Sequence, residues 1–178
     1  MRNERKTLRG MIYAAMFGAL TAIGAYIIIP LPPVPITLQT LFFNLAAALL
    51  GGYWGALSQV VYLLLGLIGL PVFAGGKSGI GVLLGPTGGY LIGFVVAAYI
   101  VGLLIAFKRH PGFFWTFGAM VVGMVLVYVC GVLQLSLVAR LSLAKAVAVG
   151  VVPFLAGDIL KIVLAALIYD KIRGRIKI

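Results

Sequence analysis

The sequence predicts an all-α integral membrane protein of six transmembrane helices with both termini cytoplasmic. Three observations lead there: its composition, the length of its apolar runs, and the placement of its basic residues. Of 178 residues, 63% are apolar and only 10% are charged, and mean hydropathy is +1.22. Soluble domains carry about 25% charged residues, and a chain this short has too little interior to hide so much apolar surface. A soluble enzyme, a disordered tail and a nucleic-acid-binding domain are excluded together. The net charge of +11 sits at the chain ends and in short loops, so it points to a lipid bilayer and not to nucleic acid. A single cysteine, Cys130, lies in an apolar run and rules out any disulfide within the chain.

About 20 apolar residues cross the hydrocarbon core as a helix. Read between charges and Pro/Gly punctuation, the runs are Met11 to Ile29, Val34 to Leu50, Tyr53 to Leu70, Pro86 to Phe107, Phe113 to Val138, and Val147 to Tyr169. The first follows the basic start MRNERKTLRG, and it is kept as a span because no cleavage pattern and soluble domain come after it. Only Gly51-Gly52 separates the second from the third, which makes these two an antiparallel helical hairpin. Six spans fill residues 1–178 as one six-helix transmembrane substrate-binding domain. No nucleotide-binding P-loop pattern occurs. Nor do His110, Cys130 and one buried acid make a metal cluster or catalytic triad, so neither cofactor nor catalysis is expected.

Orientation follows from lysine and arginine. Ten collect on one side: Arg2, Arg5, Lys6 and Arg9, then Lys108 and Arg109, then Lys171, Arg173, Arg175 and Lys177. Three collect on the other, Lys77, Arg140 and Lys145, while Lys161 lies within a span. The richer side is cytoplasmic, so the segments Pro30 to Pro35 and Pro71 to Gly85 face outside.

Ionisable groups inside a span are costly and are functional candidates by default. Two occur, Asp158 and Lys161 in PFLAGDILK, near the middle of the sixth span. At i, i+3 they lie about 60° apart on one helical face. They form either an ion pair that fixes packing or a ligand site offering one anion and one cation. The outer segment GLPVFAGGKSGIGVLLGPTGGYLIGF is the second unusual feature. Its glycines, Gly75 and Gly76 among them, permit positive φ and close backbone approach to a ligand. Phe73, Ile80, Val82 and their apolar neighbours are too many for a free linker. A lid packed over a cavity, carrying Lys77 inward, fits better. Third, the prolines of LPPVPITLQ delay the second helix and place Gln39 about one turn into it. Asn44, roughly 140° around, cannot share Gln39's face, and Gln59 and Gln134 are read as packing. Gln39, Lys77 and Tyr90 occupy outer halves and converge with Asp158 on one cavity open to the outside. In the first span Ala14, Gly18 and Ala22 repeat at i+4, as do Ala15 and Ala19. Such stripes let a helix of this bundle, or of a partner, approach closely.

These motifs resemble the BioY family, the biotin-binding S components of energy-coupling-factor (ECF) transporters. The resemblance covers essentially the whole chain and rests on PVPITLQTL (34–42), LIGLPVFAGGKSGIGVLLGPTGGYLIGF (67–94) and GDILK (157–161). It implies an S-component bundle of six helices in the cell membrane, high-affinity biotin binding from outside, and no nucleotide site. It also implies a transmembrane coupling protein with two ATPases as partners, docking on Ala15 and Ala19, and toppling in the membrane to release the vitamin. Residue by residue, Asp158 accepts from a ureido N–H of biotin, and Lys161 pairs with Asp158 and donates to the ring carbonyl. Lys77, with backbone N–H groups around Gly75 and Gly76, meets the valerate carboxylate. Gln39 and Tyr90 complete the polar lining. The two lysines could exchange roles. Alternatives are an S component for thiamine or riboflavin, and a structural or channel-like membrane protein without a saturable ligand.

Overall fold

The computed structural model describes residues 2–174, so Arg175 and Lys177 lie outside the described residues. Five helical stretches are long and apolar enough to cross a membrane: Glu4–Tyr26, Gln39–Leu67, Gly88–Phe107, Phe113–Val138 and Leu143–Ile172. The second reverses on itself and supplies two passes, so the chain is a multi-pass membrane protein with six among the described residues.

Helix α1 (Arg2–Tyr26) runs into a two-stranded ribbon, β1 (Ile28–Ile29) against β2 (Ile36–Thr37), antiparallel, with Ile28 opposite Thr37. Helix α2 (Gln39–Leu67) follows and turns at Gly51, whose φ of 78° and ψ of 179° are not helical. A side chain there would be strained, which is why glycine holds the turn. The two arms then run back to back. A Cβ on Gly55 would come within 2.8 Å of the Ala47 Cα, and Gln39 at one end hydrogen-bonds Tyr62 at the other. The hairpin expected from Gly51-Gly52 is therefore present. Its entry differs from expectation: Gln39 is the first residue of the helix and not one turn inside it. Strand pairing takes Ile36 and Thr37, so residues 34–38 stay outside the helix and the first arm falls short of the about 20 residues of a full span.

After α2 comes an irregular segment containing the short helix α3 (Ile80–Leu83), then α4 (Gly88–Phe107) and α5 (Phe113–Val138). The sixth span is divided. Helix α6 (Leu143–Gly150) gives way to a 3₁₀ turn (Val152–Phe154) before α7 (Leu155–Ile172) begins. Pro153 explains the break, since it lacks an N–H and its ring clashes with the preceding turn. The division moves Asp158 from the expected middle of a span to the first turn of α7, where the helix dipole favours an anion.

Helix α4 is the centre of the bundle. Its Phe94 stacks on Phe43 of α2 at 5.1 Å, and Gly102 lies so close to Gly52 that a Cβ would strike its backbone nitrogen. Close approach of this kind is how helices associate where lipid gives no hydrophobic drive. At one end of the bundle, Arg173 pairs with Asp170 at 3.2 Å and donates to the Pro111 carbonyl, which ties the α4–α5 loop to the end of α7. The ribbon, the α3 segment and the α5–α6 turn gather at the other end.

Candidate functional site

The α3 segment closes over that second end as a lid. Phe73 is its anchor: fully buried, edge-on to Tyr62 with centroids 5.7 Å apart, and seated on Gly66. Phe73 also pairs with Lys77 across a tight turn, and Gly76 N–H donates to the Phe73 carbonyl at 3.0 Å. Gly75 and Gly76 have φ of 75° and 71°, the values this turn requires. The lid is tied down at three further points. Gly79 N–H donates to Gly66 O at 2.8 Å, the Tyr26 hydroxyl donates to Pro71 O, and Gln134 Nε2 donates to Leu83 O and Gly85 O at 2.7 and 2.8 Å. Gln134, read as packing from sequence, thus fastens the lid to α5. Gln134→Leu is expected to raise amide hydrogen exchange over residues 80–87 about tenfold, since it leaves the Leu83 carbonyl unpaired and Gly85 O with only the Gly88 N–H, for about 1–2 kcal/mol. Exchange unchanged by that substitution would mean the lid is held elsewhere.

Beneath the lid lies a cavity with about 760 Å³ of empty space when its open mouth is counted. Val34, Phe73, Leu91, Phe94, Met124 and Phe154 give it apolar walls. Gln39, Lys77, Tyr90, Asp158 and Lys161 all line it as well, so the structure brings together every charged or polar side chain the sequence singled out.

Asp158 is 5% exposed and organises the polar end. Its Oδ1 accepts from Lys161 Nζ at 2.8 Å and from Thr40 Oγ1 at 2.9 Å; its Oδ2 accepts from the Tyr128 hydroxyl at 2.5 Å. Lys161 Nζ donates also to the Thr37 carbonyl at 2.8 Å. A carboxylate offers about four acceptor sites and an ammonium three donors. One acceptor site on Asp158 and one N–H on Lys161 therefore remain, on two residues that both line the cavity.

The other predicted residues are placed differently. Gln39 Oε1 accepts from Thr37 Oγ1 at 2.7 Å and its Nε2 donates to Tyr62 at 2.5 Å, so the amide braces the ribbon against α2. The Tyr90 hydroxyl donates to Gly150 O at 2.9 Å and its ring covers Gly131, locking α4, α5 and α6 together. The Lys77 side chain is exposed at the mouth, without a hydrogen-bond or ion-pair partner among the described residues. Gly75 and Gly76 shape the turn but do not line the cavity, and the Gly76 N–H is already committed to Phe73. Asn44, excluded from Gln39's face, donates instead to Thr40 O at 2.8 Å.

Sequence reasoning missed Thr40 and Tyr128, which hold Asp158 from α2 and α5. A signal existed for Tyr128: a phenol within an apolar span needs a hydrogen-bond partner, and Asp158 is the one acid within a span.

Comparison with known proteins gives the same picture. The BioY family model matches residues 1–178. The chain is 47% identical over 161 residues to the biotin transporter BioY of Thermotoga maritima, covering 90% of this chain and 94% of that one. It is 39% identical over 160 residues to the probable biotin transporter BioY of Pyrococcus horikoshii, covering 90% and 93%. A crystal structure of the S-component for biotin from an ECF-type ABC transporter superposes with a TM-score of 0.86 at 30% identity, over 98% of this chain and 94% of that one. With the family model matching its whole length and these relatives covering most of it, the chain belongs to the BioY family.

Proposed function

We propose that this protein is a biotin-binding S component that takes up biotin with an ATP-driven ECF module. The observation that carries the reading is the spare acceptor on Asp158 beside the spare donor on Lys161, at the polar end of an apolar cavity. Biotin's cyclic urea presents an N–H next to a C=O, which complements that pair, and charge-assisted hydrogen bonds are the strong kind. Its sulfur ring suits the walls formed by Phe94, Leu91 and Met124. Its valerate reaches toward the mouth, where Lys77 is the cation left to meet a carboxylate. Thiamine, being cationic, would set its charge beside Lys161. Relatives named as biotin transporters support the same ligand.

The lysine and arginine bias supports cytoplasmic termini in the plasma membrane, with the lid outside. Ala15 and Ala19 are exposed on α1, whereas Ala14, Gly18 and Ala22 are buried within the bundle. The exposed stripe is our docking face for the transmembrane coupling protein, through which two ATPases supply the energy. Isothermal titration of the purified protein in mild detergent is expected to give one-to-one nanomolar binding of biotin, with no heat from thiamine or riboflavin. Absence of biotin binding in protein shown to be folded would overturn the assignment.

A further inference from the structure

A second cleft opens on the flank of the bundle between α5 and the α6–α7 pair, with about 1090 Å³ of empty space including its mouth. Val125, Val129 and Leu133 of α5 face Val147, Leu155 and Ile159, and all six are 42–53% exposed. Water within a span would find almost no polar partner there, and a void would forfeit dispersion contacts along both walls. Hydrocarbon is the filling that suits it.

The rim has a different chemistry. Arg140 lies in the turn that joins α5 to α6 and Lys145 in the first turn of α6, so both cations belong to the end of the cleft where these helices meet, although neither lines its walls. Arg140 has φ 52°, the one non-glycine residue with positive φ among those described. It occupies the position after the α5 cap, where Ala139 N–H donates to Leu135 O and Leu141 N–H to Ser136 O. Helix ends of this kind ordinarily carry glycine there, because a Cβ is strained in the left-handed region. Nor is there a carboxylate for either cation. The three acids of the chain are Glu4, at the start of α1, Asp158, held by Lys161, and Asp170, held by Arg173.

Two unneutralised cations above an aliphatic cleft match one class of molecule. We propose that an anionic phospholipid binds here, its phosphate on Arg140 and Lys145 and an acyl chain between α5 and α6–α7. The inner wall gives the site a consequence. Met124, Tyr128 and Asp158 line both this cleft and the cavity beneath the lid. The chain therefore backs the phenol that holds Asp158 Oδ2. This inference needs the protein to span a membrane but does not depend on which ligand the cavity takes.

Native mass spectrometry of the full chain in mild detergent, titrated with phosphatidylglycerol or phosphatidylcholine, tests it. The wild type is expected to retain one phosphatidylglycerol and to prefer it over phosphatidylcholine. R140Q/K145Q, which alters only exposed side chains, should weaken phosphatidylglycerol at least tenfold and erase the preference. V129W, filling the cleft, should lose both lipids, and V129A should keep them. Failure of the wild type to retain phosphatidylglycerol overturns the proposal. So does retention unchanged by R140Q/K145Q, even if V129W reduces it. Biotin titration of the same samples keeps a failed lipid site distinct from a failed vitamin site.

Discussion

Lys161→Ala is expected to weaken biotin binding by about 10²–10³-fold, read by isothermal titration. The Lys161 and Asp158 side chains are only 12% and 7% exposed, and 2.8 Å separates them. Removing one partner of a buried pair leaves the other charge uncompensated and costs about 3–5 kcal/mol. Two neutral donors, Thr40 and Tyr128, would still hold the carboxylate, so geometry survives better than electrostatics. Two losses then coincide at the ligand: the N–H facing its carbonyl disappears, and the Thr37 carbonyl loses the donor that ties the ribbon to α7. An affinity within threefold of wild type, in protein that still melts cooperatively, would remove the pair from the site.

Ala15→Trp with Ala19→Trp is expected to cut biotin uptake by cells carrying the complete transporter at least thirtyfold, with biotin affinity of the purified chain unchanged within twofold. Both alanines are exposed on α1, so an indole at either position has room to point away from the bundle. One turn of the helix away, the rule inverts. Gly18 sits against the Ser58 carbonyl, 2.9 Å from where a Cβ would be, so Gly18→Leu should damage the fold itself. The pair of variants separates a docking face from a packing face. Uptake unaffected by the double tryptophan change would move the coupling protein to another surface.

Much of this was legible in the chain because a bilayer demands long apolar runs and tolerates few charges. The six passes, the turn at Gly51 and the grouping of Gln39, Lys77, Asp158 and Lys161 all follow from that demand. What stayed hidden has a common cause. Protein interior and lipid are both apolar, so composition cannot say which face of a membrane helix turns inward. The two stripes of α1 look alike in sequence, and only packing distinguishes Ala14–Gly18 from Ala15–Ala19. Tyr128 was unread for the same reason, embedded in an apolar α5. Pro153 was visible, and weighing it as a helix breaker would have placed Asp158 in a first turn. The start of α2 at Gln39 depends on the pairing of Ile36 with Ile29, a contact between segments that local pattern does not encode.

Tyr26 ends α1, and its hydroxyl reaches the carbonyl of Pro71 at the root of the lid. The helix that carries the exposed Ala15–Ala19 stripe is therefore leashed to the cover of the cavity. A tilt of α1 would bear directly on Pro71, whereas Asp158 is anchored separately through α2, α5 and α7.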